Sequence, residues 1–527
     1  MKILVSDKVS DQGVKILQLT HEVDVRHNLS PDELLAIIPQ YDALVVRSET
    51  KATRAVIEAA ANLKVIGRAG VGVDNIDIQA ATEKGIMVIN APDGNTIAAA
   101  ELTMAMMLAL ARNVPQAHRS MKEGKWERSK FMGVEMRGKT LGVIGLGRIG
   151  TGVAKRALAF EMKVLAYDPF ISEEKAQDLG IELAELDQIY AQADFITLHM
   201  PLTVETKHLL NEDAFAKMKK GIRIVQCARG GLIDEGALVK AIEEGIVAGA
   251  ALDVFEKEPL VADNPLLTLE NVIVTPHLGA STKEAQVGVA VDVAEGVLAA
   301  LNGEPVTTAV NMPPVPQQVM QFIKPYFQLV EKMGTLAVNL TEGRIQTIEV
   351  EYKGEIGEVD SKMLTIATLK GVLNPILQES VNYINAPTVA KSRGIKVREV
   401  KSEETENFAN LISVRVRTDK GEHRVVGTLF GHEGRIVMID RYRVDVTPKG
   451  WLLIVPHNDH PGMIGAVGSL LGEKKINIMS MQVVRTEQAG KSIMVLEVES
   501  DISNDTLLKI KAVDGISGAK LVNFDAK

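Results

Sequence analysis

A glycine-rich segment between an apolar run and a helical run constrains the fold of this chain most strongly. It reads Gly145-Leu146-Gly147-Arg148-Ile149-Gly150, after apolar residues 141–144 and before the helical pattern of 151–160. Glycines at this spacing also occur in ordinary turns. Between a strand and a helix, however, they permit a tight turn and a close approach to a pyrophosphate, which the helix N-terminus stabilises. The segment therefore predicts a dinucleotide-binding unit with Gly145, Gly147 and Gly150 at the phosphates.

The next strand-like run, 163–167, ends at Asp168. A carboxylate about 20 residues beyond such a glycine segment can accept both hydroxyls of the adenosine ribose and would repel a 2′-phosphate. Asp168 therefore favours NAD over NADP as the cofactor. The alternative is that Asp168 only begins a turn with Pro169.

Strand-like and helical runs alternate along residues 2–67 and again along 140–275. This alternation of strands and helices predicts two α/β domains, each Rossmann-like with a doubly wound parallel sheet. A proline-rich stretch, 305–316, predicts an extended linker to an α+β intervening domain. Runs from Trp451 onward follow the order βαββαβ, which is the ferredoxin-like arrangement.

Three titratable side chains follow predicted strand ends, where ligands of open α/β sheets collect. Arg229 follows run 223–227, Glu258 lies shortly after run 248–252, and His277 follows run 272–275. Singly, each has a plain alternative as a turn, a loop or a helix cap. Together they suit the oxidation of a 2-hydroxy acid: arginine binds the carboxylate in a bidentate manner, histidine accepts the hydroxyl proton, and a carboxylate orients the imidazole.

The segments Cys227-Ala228-Arg229-Gly230-Gly231, residues 253–259, and Pro276-His277-Leu278-Gly279-Ala280 resemble the signatures of the D-isomer-specific 2-hydroxyacid dehydrogenases. The resemblance covers about residues 1–310, and the C-terminal extension resembles that of the long-form phosphoglycerate dehydrogenases. It implies a substrate-binding domain at 1–97 and 285–310, an NAD-binding Rossmann domain at 98–284, an intervening domain at 317–448 and an ACT regulatory domain at 451–527.

The resemblance also implies residue roles. His277 would be the proton donor or acceptor, Glu258 its partner, and Arg229 the carboxylate ligand. The cofactor would contact Arg148 and Ile149 at the pyrophosphate, Asp168 at the ribose, and Cys227, Ala228, Arg229, Asp253, His277, Leu278, Gly279 and Ala280 around the nicotinamide.

A phosphorylated substrate such as 3-phosphoglycerate needs positive charge beyond Arg229. The candidates are Arg47 with Ser48, after run 43–46, and Arg68, in the segment 67–75. Asn95 could add a polar contact. Arg47 resembles the phosphate-side arginine of the phosphoglycerate enzymes. The alternative is that one or both arginines are structural.

In the last unit, residues 455–462 and 475–478 resemble an ACT module. Transferred by position, His457, Asp459 and Asn477 would bind L-serine as an effector; the alternative is a purely architectural dimerisation domain. Lys391, Arg393, Lys396 and Arg398 form a basic run that is more typical of a solvated surface than of a site for an anionic effector.

Composition excludes several other classes. The formal net charge of -9 argues against a nucleic-acid partner, and the single cysteine, Cys227, excludes an intrachain disulfide. The apolar run 97–111 is interrupted by Glu101 and is shorter than the about 18 residues that span a bilayer. Since the first residues also lack a secretory signal, we expect a cytoplasmic enzyme without a metal site. The helix at 97–111, Trp126 and the ACT-like unit indicate a homotetramer.

The sequence thus favours NAD-dependent oxidation of D-3-phosphoglycerate under serine control. Two alternatives stay open: another NAD-linked D-2-hydroxyacid dehydrogenase or 2-oxoacid reductase, for example for 2-hydroxyglutarate, and a non-catalytic NAD-sensing binding protein. Arg47, Arg68 and the ACT-like tail argue against the first alternative. The ACT-like tail and the lack of a basic or DNA-reading feature argue against the second.

Overall fold

The computed structural model describes residues 1–304, 306–377, 380–404, 408–485 and 490–525. Strands and helices are numbered here in chain order. The first sheet is parallel, in the order β2-β1-β3-β4-β5. Its strands are β1 (Lys2–Val5), β2 (Glu22–Val25), β3 (Ala43–Val46), β4 (Val65–Arg68) and β5 (Met87–Asn90), and the helices between them are α1 (Asp11–Gln18), α2 (Pro31–Ile37), α3 (Arg54–Ala59) and α4 (Ile78–Glu83).

The second sheet is also parallel, in the order β12-β11-β10-β9-β6-β7-β8. Its strands are β6 (Thr140–Ile144), β7 (Lys163–Tyr167), β8 (Glu182–Leu183), β9 (Phe195–Leu198), β10 (Ile222–Gln226), β11 (Val247–Leu252) and β12 (Val272–Val274). The strand order reverses between β6 and β9, which places a ligand crevice at their carboxyl ends. The glycine-rich turn follows β6 and opens into this crevice.

Helices cover the faces of the second sheet. They are α5 (Thr96–Arg112), α6 (Val114–Lys122), α7 (Arg148–Ala159), α8 (Glu173–Asp178), α9 (Leu186–Gln192), α10 (Glu212–Ala216) and α11 (Glu235–Glu243). The α5 helix buries Met104, Met107 and Leu110 against this sheet, in one cluster with Val143 and Val225. It is therefore a core helix of the second sheet, although the chain reaches it directly from the first.

After β12 the chain returns to the first sheet through α12 (Lys283–Leu301). Val293 and Val297 of this helix pack on β4, and the helix also contacts β5. A Cβ on Gly67 would lie 2.6 Å from Val293 Cγ1, so this glycine permits the close approach of helix and strand. The return of the chain brings the two parallel sheets together, with the carboxyl ends of β3, β4, β10 and β12 all contributing to one crevice.

The remainder of the chain forms two further sheets. The first is mixed, in the order β14-β13-β15-β16-β17-β18, and the second is antiparallel, in the order β20-β21-β19-β22. The mixed sheet comprises β13 (Ile345–Gly354), β14 (Lys396–Ser402), β15 (Asn410–Thr418), β16 (Glu422–Phe430), β17 (Glu433–Ile439) and β18 (Tyr442–Val446), with helices α13 (Gln317–Ile323), α14 (Phe327–Leu340), α15 (Glu355–Glu358), α16 (Lys362–Leu373) and α17 (Ala386–Ser392).

The final unit runs β19 (Trp451–Asn458), α18 (Met463–Glu473), β20 (Ile478–Arg485), β21 (Lys491–Val498), α19 (Asn504–Lys511) and β22 (Lys520–Asn523). This is the βαββαβ order that the sequence predicts. Together with the two parallel sheets and the mixed sheet, it confirms the predicted fold class.

Among the described residues, no single helix is long and apolar enough to cross a membrane. The α5–α6 pair passes the length and composition criteria only when its two helices are taken together across a 64° bend.

Candidate active site

The structure joins the predicted histidine and glutamate into one pair at the carboxyl edge of the second sheet. His277 Nδ1 lies 2.7 Å from Glu258 Oε2. The other carboxylate oxygen of Glu258 accepts a hydrogen bond from the Phe255 N–H at 3.1 Å, which orients the carboxylate. A carboxylate on Nδ1 holds the imidazole in the tautomer whose Nε2 can accept a proton. The His277 side chain is half exposed, as a group that meets substrate must be.

Asp253 fixes the loop that carries His277. Its carboxylate is fully buried. It accepts hydrogen bonds from the Thr275 hydroxyl at 2.6 Å and from the Leu278 and Gly279 N–H groups at 2.7 and 2.9 Å. Burial raises the pKa of Asp253, while these three donors oppose the rise. The clamp holds His277 in the left-handed backbone region, with φ of 55°, which non-glycine residues adopt at a cost.

Arg229 lies three residues beyond β10, and a buried glutamine holds its backbone. Gln226, which is 2% exposed, donates from Nε2 to the Arg229 carbonyl and accepts from the Ala228 N–H, both at 3.1 Å. The guanidinium donates to the Ala228 carbonyl at 2.7 Å, and its Nε lies 3.4 Å from Asp74 Oδ2. The Asp74 side chain is exposed, so this contact can yield to a substrate carboxylate.

Cys227 is buried beside Met106, its Sγ 3.5 Å from the Met106 sulfur. Burial raises the pKa of the Cys227 thiol to about 12. The thiol is therefore protonated at neutral pH and is not a nucleophile. Its contribution to the crevice wall is that of a small apolar side chain.

The predicted phosphate-side arginines lie close to Arg229. Burial, together with the positive charges of Arg229 and Arg47, lowers the pKa of Arg68 to about 10. Three guanidinium groups thus lie in one region, and their positive potential attracts anions. They belong to Arg47 after β3, Arg68 at the end of β4 and Arg229 after β10. Ser48, beside Arg47, is exposed.

Two glycines let the loop after β4 run against these guanidinium groups. A Cβ on Gly70 would lie 2.4 Å from an Arg68 terminal nitrogen, and a Cβ on Gly72 would lie 2.2 Å from Arg229 Nη2. Both distances are far inside van der Waals contact. Any side chain at either position would displace an arginine that the site requires.

The glycine-rich turn fits a dinucleotide. Gly145 has φ of 96°, and a Cβ on Gly150 would lie 2.0 Å from the Gly145 carbonyl oxygen, so both positions require glycine. A Cβ on Gly147 would meet nothing within 4 Å, which leaves open space in front of the α7 N-terminus. This cradle of free N–H groups suits a pyrophosphate.

The other predicted cofactor residues lie around this cradle. Asp168 ends the β7 run and accepts from the Leu146 and Phe170 N–H groups at 2.8 and 2.9 Å. Arg148 begins α7 but forms an ion pair with Asp93 at 2.7 Å. Ile149 packs beside the α5 cluster in the first turn of α7. Direct contacts to NAD stay predictions for all of the cofactor residues, among them Arg148, Ile149, Asp168, Asp253 and Ala280.

Asn95, which the sequence predicts as a polar contact to the substrate, lies at the position before α5. Its Oδ1 and the Thr96 hydroxyl are buried without a hydrogen-bond partner among the described residues, and Asn95 makes no side-chain cap. Buried polar atoms without partners are costly, and a bound ligand or water supplies such partners. The observation is compatible with a polar contact from this position.

The predicted effector residues lie at one end of the antiparallel sheet. Asp459 Oδ2 lies 2.8 Å from Arg485 Nε, and Asn477 is exposed ahead of β20. His457 is only 3% exposed, with Nδ1 3.1 Å from the Val455 carbonyl oxygen. The structure therefore places Asp459 and Asn477 where a ligand can reach them and His457 within the core.

Sequence reasoning missed several residues that build the site. Asp7 lies two residues beyond the end of β1, so the strand-end rule could have found it. No local sequence pattern indicated the other residues. Gln226 lies within a strand and Asn75 in a loop, and Gly70 and Gly72 contribute by leaving room for the arginine side chains.

Comparisons with known proteins agree with this geometry. Residues 104–279 match the family model described as the NAD-binding domain of D-isomer-specific 2-hydroxyacid dehydrogenases. Residues 322–440 match the D-3-phosphoglycerate dehydrogenase intervening domain, and residues 453–517 match the ACT domain of the acetohydroxyacid synthase small-subunit type.

Curated relatives match nearly the whole chain in sequence. The chain is 48% identical over 525 residues to a D-3-phosphoglycerate dehydrogenase of Methanocaldococcus jannaschii, covering 99% of this chain and 100% of the relative. It is 45% identical to that of Bacillus subtilis, covering 99% of each. Among solved structures, the D-lactate dehydrogenase of Aquifex aeolicus complexed with NAD and lactic acid is 29% identical, with a TM-score of 0.53, and covers 58% of this chain and 96% of that one.

Proposed function

Because the chain belongs to the D-3-phosphoglycerate dehydrogenases, a branch of the NAD-dependent D-isomer-specific 2-hydroxyacid dehydrogenases, we propose that it oxidises D-3-phosphoglycerate to 3-phosphooxypyruvate, the first committed step of L-serine biosynthesis. One observation carries the proposal: the loop of Arg229 packs against the loop of the His277–Glu258 pair, since a Cβ on Gly230 would collide with the Phe255 carbonyl oxygen, and Arg47 and Arg68 lie close to Arg229. The pair suits removal of the hydroxyl proton, and the arginines suit a substrate with anionic groups at both ends.

Arg229, His277 and Glu258 have separate roles in the reaction. Arg229 binds the substrate carboxylate and so fixes the C2 carbon. His277 Nε2 accepts the proton of the C2 hydroxyl, and Glu258 stabilises the imidazolium that forms. Bound at the glycine-rich turn, NAD would supply the acceptor for the C2 hydride. The products are then the 2-oxo acid, NADH and one proton, which His277 returns to solvent.

Arg47 and Arg68 bind the phosphate in this proposal. A phosphate dianion compensates the charge of Arg68, whose pKa burial and Arg229 lower to about 10. Unphosphorylated hydroxy acids leave these guanidinium groups unpaired, which costs binding free energy. The enzyme should therefore prefer the phosphorylated acid.

The chain ends in an ACT domain, and L-serine is the proposed effector. Asp459 and Asn477 are accessible polar groups suited to an ammonium and a carboxylate. Ile97, in α5, is 65% exposed, and Trp126, shortly after α6, is 75% exposed, which supports an interface there. With a second interface at the ACT domain, the assembly would be a homotetramer, acting in the cytoplasm.

The test is NADH formation from D-3-phosphoglycerate, D-lactate, D-glycerate and D-2-hydroxyglutarate, each with and without L-serine. We expect turnover of the phosphorylated acid to dominate and serine to reduce it. His277→Ala should abolish turnover while NADH still binds, as followed by NADH fluorescence. Equal turnover of the unphosphorylated acids would contradict the phosphate site, and indifference to serine would leave the ACT domain with an architectural role.

A further inference from the structure

Asn75 connects the two segments that carry the phosphate-side arginines. Its Oδ1 accepts a hydrogen bond from Arg68 Nε at 3.0 Å. Its Nδ2 donates to the Arg47 and Thr50 carbonyl oxygens at 2.8 and 2.6 Å. One amide therefore uses its oxygen and its two N–H groups to tie the loop after β3 to the guanidinium at the end of β4.

Asp7 holds the same loop from its opposite side. This carboxylate is 2% exposed and accepts hydrogen bonds from the Arg47 N–H at 2.6 Å and the Thr50 N–H at 3.1 Å. The N–H groups of the loop thus bond to Asp7, and its carbonyl groups bond to Asn75. With both sides of the backbone fixed, the loop holds the Arg47 backbone, from which the guanidinium extends, in one position.

The neutrality of the Asn75 amide matters as much as its hydrogen bonds. Among the described residues, Arg68 forms no ion pair within 4.0 Å, whereas Arg229 has Asp74 beside it. An amide oxygen orients the Arg68 guanidinium without compensating its charge. The carboxylates of Asp74 and Asp7 lie near enough to raise the pKa of Arg68, but neither forms an ion pair with it, so the guanidinium can pair with an incoming anion. A carboxylate at the same position would orient the guanidinium and neutralise it.

We propose that Asn75 is a positioning residue that sets the preference for a phosphorylated substrate, by holding Arg47 and Arg68 in place with an uncharged group. This inference rests on the proposed oxidation of phosphoglycerate. Asn75 acts through the two arginines, so its replacement should change recognition of the phosphate and leave the chemistry at His277 intact.

The experiment compares the wild type with Asn75→Ala and the isosteric Asn75→Asp. The measured quantity is kcat/KM for D-3-phosphoglycerate divided by kcat/KM for D-glycerate, which has the same carbon skeleton without the phosphate. We expect this ratio to fall by about tenfold or more in both variants, because hydrogen bonds to charged groups are lost or the charge is neutralised. The change should be in KM for D-3-phosphoglycerate, with kcat/KM for D-glycerate and NADH affinity within about twofold of wild type.

The matched control is Asn62→Ala. Asn62 lies in the same parallel unit and makes a single side-chain hydrogen bond, to the Pro39 carbonyl oxygen at 2.8 Å. Its replacement should leave the ratio unchanged. Thermal unfolding of all three variants records any loss of structure. Asn75→Asp keeps the oxygen that accepts from Arg68 Nε and loses the two N–H donors, so a folded Asn75→Asp tests the effect of charge if Asn75→Ala unfolds.

The outcomes separate the two proposals. A wild type that prefers D-3-phosphoglycerate, with variants that keep the same ratio, overturns the role of Asn75 and leaves the proposed function standing. Equal losses with both substrates also overturn it, since they indicate a general structural role. A wild type without any preference for the phosphorylated acid overturns both proposals together.

Discussion

Replacement of Gly72 by alanine tests whether the backbone of the loop after β4 positions the carboxylate-binding arginine. The new Cβ would lie 2.2 Å from Arg229 Nη2 and 2.7 Å from Asp74 Oδ2. Since non-bonded atoms settle at about 3.5 Å or more, the guanidinium must move by at least about 1 Å. A charge-assisted hydrogen bond contributes about 1.5–3 kcal/mol, so losing one from the Arg229–carboxylate pair should lower kcat/KM about 10- to 100-fold.

The Gly72→Ala variant should otherwise resemble the wild type. The atoms in conflict are the ends of flexible side chains, and alanine restricts the unfolded chain, so the free energy of unfolding should change by less than about 1 kcal/mol. Steady-state kinetics with D-3-phosphoglycerate, NADH fluorescence titration and urea unfolding measure the three quantities.

Gly288→Ala in α12 is the control, because its Cβ would approach only the Gly94 carbonyl oxygen, at 3.7 Å. We expect wild-type kinetics from it. If Gly72→Ala retained wild-type kcat/KM, the inferred placement of Arg229 against this loop would be wrong. A large loss of stability without a specific kinetic defect would refute the reasoning equally.

Glu258→Gln retains an oxygen near His277 Nδ1 but removes the charge that stabilises the imidazolium. We therefore expect kcat to fall about tenfold or more while NADH affinity is unchanged. A wild-type kcat would show that the His277–Glu258 pair has no role in catalysis. Asp253→Asn replaces one of the carboxylate oxygens that hold the His277 loop by a donor. We expect a lower kcat and a free energy of unfolding in urea that is about 1–3 kcal/mol smaller. Thr275→Val removes only one of the hydrogen bonds to Asp253 and should have the smaller effect. Burial lowers the pKa of His199 to about 4 from its usual value of 6.5. Below pH 6.5 the unfolded chain binds a proton that the folded chain does not, so stability should fall by about 2 kcal/mol between pH 7.5 and 5, and His199→Gln should flatten this dependence in urea titrations at both pH values.

Much of the fold was predictable because its signals are local. The apolar runs at β6 and β7 bracket the glycine-rich turn, and the observed strands, Thr140–Ile144 and Lys163–Tyr167, agree closely with the predicted ones. The βαββαβ order after Trp451 was predicted for the same reason. Periodicity and glycine spacing are properties of consecutive residues, so a single sequence carries them.

The sequence by itself determined which chemical groups are available. These are an arginine that can bind a carboxylate, a histidine and a glutamate that can transfer a proton, and a glycine-rich turn that can bind a dinucleotide. Only the tertiary structure decided the distances, such as the 2.7 Å between His277 and Glu258. It also identified Asp7, Asn75 and Gly72 as supports of the arginines, since each acts on residues distant in the chain or through excluded volume. Parallel sheets bring strand ends together across long separations, and the contacts made there depend on a packing that no local pattern records.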